Sequence, residues 1–149
     1  MVRAACCLPG PVAESLRTGA LEALRSVKDR GLRVAICSNV MWRTGADSRV
    51  DWAARGAGAL IDAYVTSIDV GWLKPHRAMF DAALSTLGVV AAETVMVGDS
   101  GFKDIAPAKR LGLRAVHVRS GDAALADPPA DVMIDELGAL PAALAGLGA

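Results

Sequence analysis

Charge of one sign in excess is the first thing this sequence lacks. Its 149 residues carry 16 Lys plus Arg and 16 Asp plus Glu, a net charge of zero. With no basic run either, the chain has no electrostatic footprint for nucleic acid or an anionic membrane surface. Long hydrophobic runs are missing too. The apolar stretches fall far short of the ~20 residues a membrane-spanning helix needs. Cysteine is scarce. Cys6, Cys7 and Cys37 are an odd number without metal-ligand spacing, and adjacent Cys6 and Cys7 cannot readily bridge each other. The N-terminal "MVRAACCLPGPV" has too short an apolar patch for a signal peptide, and no clear cleavage site follows it. These absences place the expected setting in a reducing cytoplasm.

What is present is apolar. Hydrophobic residues make up 53% of the chain, enough to bury a core within a single domain over 1–149. "VAESLRTGALEALRSVKDRG" repeats apolar residues at helical spacing through Leu16, Ala20, Leu24 and Val27, and stops at Gly31. "LRVAICS" reads as a buried strand ending at Ser38. "DSRVDWAARGAG" reads as a helix, "AYVTSID" as a strand, and "KPHRAMFDAALSTLG" as a helix with Pro75 in its first turn. "TVMVG" is a strand. "DIAPAKRLG" is a short helix with Asp104 as N-cap. "LRAVHV" and the end of "DPPADVMID" are further strands. "ELGALPAALAGLG" is a terminal helix interrupted by Pro141. Strands that read as continuous apolar runs and alternate with helices predict a parallel α/β sheet covered on both faces.

Functional groups in such sheets gather at the carboxyl ends of the strands. Ser38 and Asn39 stand after one strand, and Asp99 and Ser100 after another, with Asp104 five positions beyond Asp99. Lys74 precedes the Pro75 helix. A hydroxyl, an ammonium and two carboxylates on one rim outline a phosphoryl-transfer pocket. The carboxylates suit Mg²⁺, and Ser38 and Lys74 suit phosphate oxygens.

"LRVAICSN", "GWLKPHRAMFDAAL" and "VMVGDSGFKDIAPAKRLGLRAVHV" resemble, in order and spacing, the second, third and fourth motifs of the haloacid dehalogenase-like (HAD) hydrolase superfamily. The resemblance covers roughly residues 12 to 140. It implies a three-layer Rossmann-like core and a Mg²⁺-dependent phosphatase acting on a small phosphorylated metabolite. Ser38 and Lys74 would be catalytic, and Ser38, Asn39 and Lys74 would bind substrate. Asp99 would be a metal ligand, and Asp104 a further acidic residue of the metal site.

The family's first motif, a strand ending in a nucleophilic aspartate, has no counterpart, because no aspartate precedes Asp29. Without that carboxylate no aspartyl-phosphate forms, and this chain alone is expected to be inactive. The resemblance also places that strand at the sheet centre, so the core is expected to be incomplete there, with residues 1–11 a cap remnant or linker. The unpaired edges invite "VRAACC" to fill part of the gap, the two flanking strands to close on each other, a partner strand, or self-association. Two other readings stay open: a non-catalytic descendant that binds a phospho-ligand or a protein, and a 2-haloacid dehalogenase-like enzyme. Plainer readings of the residues also stand. Asp99 could cap a turn, Ser38 bond backbone, and Lys74 sit in solvent. Cys6 or Cys7 could replace the nucleophile, although no His stands in an obvious partner position. His76 reads as a helix-start surface residue and His117 as a strand residue. Trp42, Trp52 and Trp72 read as packing, with Trp72 nearest the pocket.

Overall fold

The apolar strands assemble into one six-stranded, all-parallel sheet in the order Ala63–Thr66, Arg33–Ser38, Ala4–Cys6, Thr94–Gly98, Arg114–Val118, Val132–Ile134. The structure is a computed structural model, and it describes residues 1, 3–6, 16–119 and 126–148. The strands are β1 (Ala4–Cys6), β2 (Arg33–Ser38), β3 (Ala63–Thr66), β4 (Thr94–Gly98), β5 (Arg114–Val118) and β6 (Val132–Ile134). The helices are α1 (Ala20–Asp29), α2 (Gly45–Ala54), α3 (Ser67–Val70), α4 (Arg77–Leu87), α5 (Ala106–Arg110) and α6 (Leu140–Gly146).

Strand alternation divides the core in two. Val34, Ile36, Val95, Val97, Val116 and Val118 face one side and pack with Leu24 and Val27 of α1 and Leu140 and Leu144 of α6. The intervening Ala35, Cys37, Met96 and Ala115 face the other side, against Met79 and Phe80 of α4 and Ile105. Two helical layers thus sandwich the sheet, as a three-layer α/β core requires. At the amino-terminal rim, two aspartates each tie a lysine to a strand amide. Asp62 accepts from Lys28 Nζ and the Val34 amide, and Asp131 from Lys109 Nζ and the Ala115 amide.

The break expected at the sheet centre is closed by the chain itself. Ala4–Cys6 pairs with Arg33–Ala35 on one side and Thr94–Met96 on the other, both parallel. The linker role expected for residues 1–11 therefore does not hold for Ala4–Cys6, and the seam does not need a strand from a partner. Buried strand edges must satisfy their backbone groups, and this short apolar segment does so. It is only three residues long, shorter than either neighbour.

Other boundaries differ for local reasons. Residues 12–15 lie outside the described residues. Beyond them the first helix begins only at Ala20, because Gly19 adopts φ 80° and interrupts the helical run. The strand expected through Asp69 ends at Thr66, whose hydroxyl caps α3. Pro75 is not in the first turn of α4. It follows a cis peptide after Lys74, and His76 provides the N-cap. Asp104 is not an N-cap either. Ser100 caps a π-type turn over Gly101–Ile105, and Asp104 lies inside that turn. Pro141 does not interrupt α6 but occupies its first turn.

Candidate functional site

The chain runs outward from β1 to β2 and β3, then returns to β4 on the other side of β1. That reversal opens a crevice beyond the carboxyl ends of β1 and β4, where ligands of doubly wound sheets bind. Every residue expected in the site stands on this rim, and they reach it from two layers.

Lys74 and Asp104 form a buried pair. Lys74 is 8% exposed and Asp104 5%, and Lys74 Nζ lies 2.7 Å from Asp104 Oδ1. The other carboxylate oxygen accepts the Ser100 amide at 3.1 Å. Two buried charges repay their lost hydration only when such hydrogen bonds complete them. Gly98 makes the approach possible. A Cβ there would lie 2.4 Å from Asp104 Cβ, so any larger residue collides with the carboxylate-bearing side chain.

Asn39 fixes Lys74 from across the sheet. Its Oδ1 accepts the Lys74 amide at 2.7 Å, and its Nδ2 donates to the Lys74 carbonyl at 2.9 Å. The side chain expected to face substrate thus engages the backbone of the site's lysine. Ser67, a residue the sequence reading passed over, clamps the same loop. Its hydroxyl donates to the Val40 carbonyl and accepts the Val40 amide. Its position at the end of β3 was the available signal.

Ser38 follows Ile36 on the face of β2 turned toward α1. Among the described residues its Oγ has no hydrogen-bond partner, and it is half-buried in the lining of a cleft. Asp99 is 31% exposed at its side chain, and Arg17 faces it at 3.5 Å. The backbone carbonyl of Asp99 lies 3.2 Å from His117 Nε2. A carbonyl can only accept, so that nitrogen carries the proton. His117 is therefore a buried prop beneath the site rather than only a strand residue. Nothing in the sequence pattern pointed to Arg17, which precedes its helix.

Cys7 and the side chain of Cys6 fall outside the described residues, and the nucleophile reading of either with them. Cys37 is buried and donates its thiol to the Met79 carbonyl. Trp72 does not border the cleft. It stacks on His76 with ring centroids 3.9 Å apart. Trp52 packs in the core as expected, and with the exposed Trp42 it also lines the cleft. No group of three or more His, Cys, Asp or Glu side chains converges on a metal position among the described residues. None of the described helices is long and apolar enough to cross a membrane.

Comparison with known proteins agrees with the fold and the family. The family of haloacid dehalogenase-like hydrolases matches over residues 10–112. This chain belongs to the HAD-like hydrolase family. Among HAD-like relatives, the ribulose-1,5-bisphosphate 5-phosphatase of Halopiger xanaduensis is 33% identical over 135 residues, covering 85% of this chain and 55% of the relative. The solved HAD phosphatase from Thermococcus onnurineus superposes with a TM-score of 0.75 at 27% identity, covering 89% of this chain and 59% of that one. An uncharacterized protein from Listeria monocytogenes serotype 4b shares the fold, with a TM-score of 0.83 at 24% identity over 99% of both chains. The chain spans about half the length, or less, of the first curated HAD relatives it matches.

Proposed function

We propose that this chain is the phosphate-handling core of a HAD-like phosphatase acting on a small phosphorylated metabolite. The observation that carries the reading is the buried ammonium of Lys74, locked by Asp104 and Asn39 on the same rim as the Ser38 hydroxyl, which has no partner among the described residues. A fixed ammonium and a hydroxyl donor on one rim suit the charge and lone pairs of a phosphoryl group. The Halopiger relative's name, a sugar-bisphosphate phosphatase, supports the same class.

Each residue then has a task. The Ser38 hydroxyl donates to a phosphoryl oxygen. Lys74 offsets the negative charge that builds on the transferring group. Asn39 and Asp104 hold Lys74 in place, so that no reorganisation is needed when the charge develops. The donors fit Mg²⁺ in part. Asp99 is accessible and loosely paired, and Mg²⁺ commonly takes one or two carboxylates and shares the rest with phosphate. Asp99 would hold the ion, and Asp104 would support the site from behind. Bound Mg²⁺ would neutralise and orient the phosphoryl group.

The chain's own nucleophile is the missing part. In sequence, Cys7, Leu8 and Pro9 follow β1, and the first carboxylate after it is Glu14. This chain alone therefore binds phosphate without turning over an ester. One observation favours a purely binding role as a second reading, the Arg17 guanidinium that already faces Asp99. The scarce cysteines, without metal-ligand spacing, support a cytoplasmic setting.

Thermal melting tests the reading. Mg²⁺ with inorganic phosphate should raise the melting temperature, since a ligand of the folded state stabilises it by mass action. Asp99→Asn should remove the Mg²⁺-dependent part of the shift, and Lys74→Met the phosphate-dependent part. A shift that survives both substitutions overturns the site.

A further inference from the structure

Beside Ser38 the rim opens into a cleft of about 470 Å³ that none of the roles above uses. Ile36 and Ser38 form its floor, Leu16 and Trp52 its walls, and Met41 and Trp42 its mouth. A cleft of this size accommodates a small organic molecule. Its chemistry is uneven. Trp42 is 73% exposed and Met41 80%, and both belong to the loop that Asn39 and Ser67 hold in place. Large apolar side chains kept in water on a clamped loop, around a concavity, mark a ligand surface. At the inner end the character changes. Ser38 presents its hydroxyl there, and Arg17, next to the lining residue Leu16, faces Asp99. Elsewhere in the wall, Arg43 is committed to Asp51 at 2.8 Å, and Arg55 donates to the Asp51 carbonyl. Ser48, also in the lining, donates to the Thr44 carbonyl, so the polar groups of this wall are engaged with neighbours and the cleft offers no free acid.

We infer that this cleft binds the organic part of the phosphate ester, and that it selects the monoester of a flat, aromatic alcohol whose phosphate rests at Ser38. The inference rests on the phosphate reading of the rim and adds the substrate class. A planar ring in the cleft stacks against Trp42, the aromatic side chain that stands open to solvent at its mouth, and covers the floor at Ile36. Its oxygen substituent then points toward Ser38. A highly hydroxylated sugar phosphate would set hydroxyls against Trp42, Trp52, Ile36 and Leu16, or against Arg43, Ser48, Asp51 and Arg55, which already bond to neighbours, and it is disfavoured for that reason.

Binding by calorimetry tests this on the whole chain and needs no turnover. The probes are inorganic phosphate, 1-naphthyl phosphate and ribose 5-phosphate, against the wild type and Trp42→Ala. Trp42 is exposed, so its removal leaves the core intact. The expected result is 1-naphthyl phosphate binding ~10-fold tighter than inorganic phosphate, the scale of one aromatic stacking contact. Ribose 5-phosphate should bind no tighter than phosphate. Trp42→Ala should lose most of the naphthyl gain and keep its affinity for phosphate. Phosphate binding without a naphthyl gain, or a gain that Trp42→Ala leaves whole, overturns the cleft and spares the rim. A ribose ester that binds as well as the naphthyl ester overturns the aromatic selectivity. Failure of every ligand to bind overturns the rim itself, and the cleft with it.

Discussion

Lys74 and Asp104 stand 30 residues apart in sequence and 2.7 Å apart in the fold, both shielded from water. Breaking such a pair on one side strands a buried charge. Lys74→Met should cost ~3–5 kcal/mol in denaturant unfolding. Lys74→Met with Asp104→Leu should recover much of that loss, because no lone charge remains. A double variant as unstable as the single one would show that the pair is not the source of the effect.

Gly98 gives a second prediction about the same carboxylate. Gly98→Ala drives a methyl group to 2.4 Å from Asp104 Cβ. Overpacking on this scale should destabilise by about 3 kcal/mol, measured by denaturant unfolding. Gly71→Ala is the contrast. Nothing lies within 4 Å of its Cβ, so only the positive φ of 78° resists the change, and the loss should be smaller.

Arg17 faces Asp99 across 3.5 Å with both side chains partly in solvent. A pair of this kind contributes roughly 0.5–1 kcal/mol. Arg17→Gln should therefore leave unfolding almost unchanged. With its competitor gone, Asp99 should hold Mg²⁺ roughly two- to fivefold tighter by calorimetry, the same energy expressed as affinity. Raising the salt concentration in the wild type should narrow that difference.

Tyr64 carries a hydroxyl buried without a hydrogen-bond partner among the described residues. Burial pushes its phenol pKa up, partly opposed by Arg49 over the ring. Deleting the oxygen removes an unpaired polar atom and keeps the packing. Tyr64→Phe should raise stability by ~1 kcal/mol, read as an upward shift in melting temperature.

Asp131 predicts the acid limb of stability. Burial raises its pKa, but the Lys109 ammonium and the Ala115 amide more than reverse this, and the carboxyl ends below its ordinary value. A lowered folded-state pKa means the contribution is complete above the ordinary aspartate range. It is lost as the pH falls through that range to the folded value. Asp131→Asn should lower stability at neutral pH and flatten the decline in acid, followed by unfolding midpoints from pH 7 to 3.

How far the sequence could be read depended on the kind of signal. β2, β4 and β5 announced themselves as unbroken apolar runs, and Ser38, Lys74 and Asp99 stand on the rim that their strand ends imply. β1 was the hard case. Three residues are too few for a period, and only the empty place between β2 and β4 gives them meaning. Asp104 misled in detail, because the Ser100 hydroxyl three residues from Lys103 takes the cap and sends the carboxylate inward to Lys74. Arg17, Ser67 and His117 act through single long-range contacts, which leave no local pattern to find.

The brevity of Ala4–Cys6 gives this molecule a seam. β2 with β3 makes one half-sheet, and β4, β5 and β6 make the other. Among the described strands, only the three-residue β1 pairs with both halves. Cooperative opening starts where the fewest backbone bonds bind two well-packed bodies. Ser38 and Asn39 belong to one half, and Asp99 and Asp104 to the other, while Asn39 and Lys74 are tied within the first. Separation along the seam would pull Lys74 from Asp104 and dismantle the rim, and it would split both core layers, which residues of the two halves share. Whatever fastens the two halves together also keeps the rim assembled.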